Sequence, residues 1–344
     1  MQLKRVLRPA RVILPALAAA ALWLASPAEA QAPTFITLGT HGGPLPDAKR
    51  SQPANALVVD RAVYLVDSGD GAAEQLAKAG LSLQAVRAVF ISHLHFDHTG
   101  GLFGVLGLRQ QTNTRAKLTI YGPPGIKETV NGLLAALKPG GVSGYGVPGE
   151  QFVPLDVETI ELRDGARVTL DGFTVTAAEN THYSFPRGSD MDKRFDSLSF
   201  RFDFPGRSIV YTGDTGPSDA VTTLAKGADL LVSELIDAQV ASSGFGPPPA
   251  AAGAGQNRPA PAAAAPANGN GAKSTAEVMR EHLSTHHLTP EQVGKMASDA
   301  KVGRVVITHL VASRQPNFPV DSYVAEIKKT YGGPVEIADD LDRY

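Results

Sequence analysis

His93, His95, Asp97 and His98 place three imidazoles and a carboxylate within six residues, in the run Ser92-His93-Leu94-His95-Phe96-Asp97-His98-Thr99-Gly100-Gly101. Imidazole nitrogen and carboxylate oxygen are donors that suit zinc, and the same set accepts manganese or iron. In an extended chain, residues two apart point the same way, so His93 and His95 can close on one metal. Asp97 and His98 lie just beyond, within reach of a second. The spacing therefore predicts a two-metal site. The 344 residues include no cysteine, so every protein ligand must be His, Asp or Glu.

Such a cluster needs a rigid support. The apolar run Ala88-Val89-Phe90-Ile91 reads as a buried strand that delivers the motif. Residues 56–59 and 63–66 read as a hairpin pair, and residues 118–121 as a strand ending in Gly122-Pro123-Pro124-Gly125. The second half repeats one pattern, in which a β-like run ends on a residue able to do chemistry. Residues 173–178 lead to His182, 208–212 to Asp214, 229–232 to Glu234 and 304–308 to His309. If these strand ends share one edge of a sheet sandwich, their side chains converge. Helical stretches at 72–79, 126–137, 290–299 and 320–330 alternate with the strands, which makes this an α/β layered protein. Residues 139–149, rich in Gly and Pro, read as a mobile loop, and the Pro/Ala/Gly-rich stretch 244–273 as a disordered insertion.

Residues 1–30 read separately, as a secretory signal peptide cleaved after Ala30. Lys4, Arg5, Arg8 and Arg11 precede an apolar segment too short to span a bilayer, and Ala28-Glu29-Ala30 closes it. That segment carries a net +3, so the remaining chain, a single domain over 31–344, goes from −2 to −5. The signal predicts an exported protein, periplasmic or secreted, with no membrane contact after cleavage, and the negative charge predicts no nucleic-acid partner.

In order along nearly all of the remaining chain, several motifs resemble the metallo-β-lactamase superfamily, and within it the ribonuclease Z, arylsulfatase and class II phosphodiesterase branch. They are Leu38-Gly39-Thr40, Asp67-Ser68-Gly69, the run from Ser92 to Gly101, Gly122-Pro123-Pro124-Gly125, Thr212-Gly213-Asp214-Thr215, Glu234, His287-Leu288-Thr289 and Thr308-His309. The resemblance implies a four-layer αββα sandwich with two zinc ions at one edge. His93, His95 and His182 would bind one ion, and Asp97, His98 and His309 the other, with Asp214 bridging. It also implies a catalytic role for His287, oriented by Glu234, and for Asp97, which would hold the attacking water as well as its metal. Asp67 would support a ligand histidine. His41 and His282 read as surface residues, and Phe96, Tyr145, Tyr183, Phe185 and Arg187 as candidates to line the pocket.

The implied activity is that of a metal-dependent hydrolase acting on ester bonds, an arylsulfatase- or phosphodiesterase-like enzyme that cleaves small phosphodiesters or sulfate esters by attack of a zinc-bridging hydroxide. A lactonase or thioesterase is the alternative. β-Lactamase activity is disfavoured by the bridging aspartate, and iron oxidoreductase chemistry by the complete ligand set. tRNA processing is disfavoured by export, by charge and by the short passage from residues 197–205 into Tyr211, which leaves no room for an RNA-gripping arm. The expected partner is a small-molecule ester, and a homodimer is compatible with the branch.

Overall fold

Alternation along the strands decides the architecture. On β3 (Ala62–Ser68), Tyr64 and Val66 face one apolar cluster, while Val63 and Leu65 face another. The same split recurs on β11 (Leu230–Ile236), where Leu230 and Val232 go one way and Leu231 and Leu235 the other. Side chains of a strand project to opposite faces, so a strand that is apolar on both faces must be covered on both. The computed structural model shows what covers them, and describes residues 32–149, 151–243, 273–312 and 319–344. The expected signal peptide (1–30) and nearly all of the 244–273 stretch lie outside the described residues.

The first sheet runs β1 (Thr34–Gly39), β2 (Ala54–Val59), β3, β4 (Val86–Phe90), β5 (Leu118–Gly122) and β6 (Val157–Glu161), in that spatial order. Its first three strands are antiparallel and the rest parallel. The second sheet runs in reverse order from β13 (Val335–Ile337) through β12 (Val305–Val311), β11, β10 (Arg207–Tyr211), β9 (Leu198–Phe204) and β8 (Phe173–Glu179) to β7 (Arg167–Leu170). It too is antiparallel from β7 to β10 and parallel from β10 to β13.

Phe35, Tyr64 and Phe90 from the first sheet meet Phe173, Phe200 and Phe202 from the second in one inter-sheet core. Helices α1 (Ala72–Lys78), α2 (Phe96–Thr99), α3 (Leu102–Gln111) and α4 (Ile126–Val142) lie along the first half of the chain. Leu76, Leu102, Val105, Leu106, Ile126 and Val130, from α1, α3 and α4, cover the outer face of the first sheet. The second half adds α5 (Asp190–Arg194), α6 (Asp219–Leu224), α7 (Ala238–Ser243), α8 (Thr275–Thr285), α9 (Pro290–Ala300) and α10 (Asp321–Ile327). Val221, Val293, Ala297, Tyr323 and Ile327, from α6, α9 and α10, cover the second sheet. The expected α/β four-layer αββα sandwich is the fold observed.

Two local readings are corrected. Residues 139–142, expected in a mobile loop, continue α4 to Val142. Pro139 removes one amide donor from the last turns only, and Ser143 still donates to its carbonyl at 3.1 Å. Gly141 lets Phe152 pack on the helix, since a Cβ there would lie 2.3 Å from the ring. The helix α8 was not anticipated, although Ser274 and Glu277 form a reciprocal capping box at its start.

Candidate metal centre

The polar cluster sits beyond the carboxyl ends of the parallel strands, the usual crevice for ligands in such sheets. β4 passes through Ile91 and Ser92 into His93 and His95, and the first turn of α2 carries Asp97 and His98. From the second sheet, β8 leads to His182, β10 to Asp214, β11 contains Glu234 and β12 contains His309. The structure brings together all seven residues expected to bind metal.

They form two groups. His93 Nε2 and His182 Nε2 lie 3.0 and 3.1 Å from His95 Nδ1, so three ring nitrogens converge with no carboxylate among them. Asp97 Oδ2 lies 3.6 Å from both His98 Nε2 and His309 Nε2 in the second group. Asp214 stands between. Its Oδ2 is 3.9 Å from His93 Nε2 and from His182 Nε2, and its Oδ1 is 3.3 Å from His98 Nε2 and 3.2 Å from His309 Nε2.

The chemistry of these atoms fits metal ions better than it fits a hydrogen-bond network. His98 Nε2, His309 Nε2 and Asp214 Oδ1 are buried without a hydrogen-bond partner. Unpaired buried polar atoms are costly, and several converging on one point are satisfied together by a cation. Burial, with His98 and His182 adding, holds His93 well below the ordinary histidine range, so its ring is the neutral form a metal requires. Burial also opposes charge on His98, but Asp214, Asp97 and Asp67 outweigh it and hold this ring well above that range.

Two β-bulges aim the site. On β12, Thr308 and His309 together face Glu234, because the register shifts between the Ser233–Ile307 and Leu235–Leu310 pairs. His309 takes up the extra residue with a φ of 43°. On β3, Asp67 is the extra residue opposite Ala54 and Asn55, with a φ of 59°. Left-handed backbone at a non-glycine residue is strained and persists only where its surroundings impose it. Here it turns one imidazole and one carboxylate out of the strand pleat into the cluster.

Asp67 then becomes a hub. Ser92 donates its amide to Oδ1 and its hydroxyl to Oδ2, both at 2.7 Å, and the Tyr211 hydroxyl donates to Oδ2 at 2.7 Å. His98 Nδ1 lies 2.8 Å from the same Oδ2 and donates to it, which leaves Nε2 to the cluster. His182 Nδ1 is turned likewise toward the carbonyl of His286, at 3.1 Å. Gly43 makes room on the other side, since a Cβ there would fall 2.0 Å from Asp97 Oδ2.

His287 and Glu234, expected as a catalytic pair, are in contact. His287 Nδ1 lies 2.7 Å from Glu234 Oε2, while Glu234 Oε1 accepts the Thr215 amide at 2.6 Å. Burial opposes charge on the ring, but the Glu234 carboxylate overrides it and pushes His287 up to about 9. The Nε2 edge of His287 is left toward a cavity of about 350 Å³, lined by Pro44, Phe96, Asp97, His282, Leu283 and His309 among others.

Other expectations change here. His282 lines the cavity instead of lying on the surface, with burial and the neighbouring His287, His286 and His95 pushing it down to about 4. His41 is half-buried, in a backbone bridge to Leu310. Of the expected lining residues, Phe96 alone is on the cavity. Tyr145 faces a separate hollow with Phe152, Arg187 pairs with Glu179, and the Tyr183 hydroxyl accepts the Leu94 amide with Phe185 packed on its ring. Met279 and Leu283 were missed, and His282 was read as exposed, because all three belong to α8. The capping box was the available signal.

A family model described as a beta-lactamase superfamily domain matches residues 62–310. A ribonuclease Z of Mycobacterium marinum is 28% identical over 317 residues, covering 90% of this chain and 97% of the relative. Among solved structures, the metallo-beta-lactamase fold protein YhfI from Bacillus subtilis superposes with a TM-score of 0.60 at 20% identity, over 91% of this chain and 98% of its own. Human tRNase Z, short form, gives 0.59 at 20%, over 90% and 98%. The relatives correct the functional expectation. Matches spanning nearly the whole chain carry the name of a ribonuclease, which overturns both the reading as a hydrolase of small phosphodiesters or sulfate esters and the exclusion of nucleic acid. The exclusion leaned on a net charge of −5, and a chain average says little about the local field where a phosphate would meet bound cations.

Proposed function

Since the chain belongs to the beta-lactamase superfamily, we propose that it is a metal-dependent hydrolase of phosphodiester bonds in RNA. The observation that carries the reading is the division of Asp214, one oxygen toward the His93/His182 side and the other toward His98 and His309. A carboxylate so placed suits two ions close together, the arrangement that flanks the attacking and leaving oxygens in phosphoryl hydrolysis. The names of the chain-long relatives support RNA as the polymer.

In this reading His93, His95 and His182 would hold one zinc ion and Asp97, His98 and His309 the other, with Asp214 within reach of both groups. Bound zinc supplies a Lewis acid for the phosphoryl oxygens and lowers the pKa of water. The chain's own groups do the rest. Asp67 and the His286 carbonyl fix the rings of His98 and His182, so no reorientation is needed on binding. Asp97, against the cavity, would hold the attacking water as well as its metal. His287, kept protonated by Glu234, presents Nε2–H toward the cavity, where it stabilises or protonates the leaving oxygen.

The test is cleavage of a 3′-extended RNA by the zinc-loaded protein and by His287→Ala. The variant is expected to keep its metal and lose roughly 10²–10⁴-fold in kcat. Unchanged turnover would remove His287 from the reaction.

A further inference from the structure

The proposed reaction uses the polar floor of the cavity and leaves one wall without a role. That wall is apolar and comes from two places. Phe96 sits between His95 and Asp97 with 72% of its surface exposed. Facing the same cavity, α8 contributes Met279, His282 and Leu283, at positions i, i+3 and i+4 of one helical face. Val311 and Pro44 complete the wall.

An aromatic ring that is nearly three-quarters exposed between two metal-ligand positions gains nothing for the core. Its edge lies over Gly100, where a Cβ would meet Phe96 Cε1 at 2.9 Å, and most of the ring surface stays exposed. His282 makes the wall polar at one point, its ring centre 5.0 Å from that of His182 and 6.4 Å from that of His95.

Resting on the phosphodiesterase reading, we propose that this wall is a nucleobase subsite, in which Phe96 stacks on the base next to the scissile phosphodiester, Met279 and Leu283 close over it, and His282 hydrogen-bonds its edge. A nucleobase is planar and apolar on its faces and polar at its rim, as this wall requires. Stacking on an aromatic ring accepts any base, so the subsite fixes the position of the chain without reading sequence.

The test uses zinc-loaded full-length protein and two short oligoribonucleotides of one sequence. One is intact, and the other lacks the base beside the scissile bond, with each side of the bond examined in turn. Phe96→Ala is expected to raise KM roughly tenfold on the intact substrate and much less on the abasic one, with Phe96→Trp restoring the intact value. His282→Ala is expected to show the same preference at smaller size. Equal losses on both substrates, or no loss on either, in protein of unaltered metal content and Tm would overturn the subsite and leave the phosphodiesterase reading standing. Cleavage of neither substrate by the wild-type protein would remove both.

Discussion

Glu234 Oε2 lies 2.7 Å from His287 Nδ1, with both side chains buried at the edge of the candidate ligand cluster. The contact sets the charge on His287, pushed up to about 9 from an ordinary 6.5. A ring that acts while protonated works below that value, so kcat is expected to fall as pH rises through about 9. Glu234→Gln removes the charge that raises the ring and should shift this limb to lower pH. The raised His287 ring contributes stability that is fully present below 6.5 and is lost as pH rises through about 9. A pH–rate profile whose basic limb does not move in Glu234→Gln would separate Glu234 from His287 in function.

Asp67 tests how much of the metal affinity resides outside the ligands. Asn tolerates left-handed backbone, so Asp67→Asn keeps the bulge while removing the charge that His98, Ser92 and Tyr211 point at. Zinc affinity, measured by competition with a chelator, is expected to drop about 10–100-fold. Tyr211→Phe removes one hydrogen bond to a buried carboxylate and should cost about 1.5–3 kcal/mol in unfolding free energy, with the ligands intact. An Asp67→Asn protein with wild-type affinity would contradict the hub.

Gly43 tests the fit around Asp97. Its missing Cβ is what allows Asp97 Oδ2 into place, so Gly43→Ala is expected to displace that carboxylate, lower bound metal and slow turnover, with circular dichroism unchanged. Full metal content and full activity would show that Asp97 does not depend on this space.

The parts of the site that were legible in the sequence are those carried by short-range pattern. His93 to His98 lie on one strand end and one helical turn, so their spacing alone brings them together. His182, Asp214, Glu234 and His309 were reached because each follows or ends an apolar run, and the family resemblance sorted them into two groups. The bulges at Asp67 and His309 left no trace, since neither position carries the glycine that usually marks left-handed backbone. The part of the cavity wall contributed by α8 was illegible for a different reason. Met279, His282 and Leu283 reach the site through the packing of α8, a tertiary relation that no local spacing encodes. Substrate was misjudged where an average charge was allowed to stand for a local one, and where export and the short passage from residues 197–205 into Tyr211 were taken to exclude RNA.

The central claim is that one carboxylate, Asp214, organises two metal ions for the hydrolysis of RNA. It is tested most directly by measuring zinc stoichiometry and cleavage of a 3′-extended RNA side by side, in wild-type and Asp214→Ala protein. The account predicts two zinc ions per chain and metal-dependent cleavage in the wild type, with both metal retention and cleavage lost in the variant. A variant that keeps two ions and cleaves, or a zinc-loaded wild type that leaves RNA intact, would contradict it.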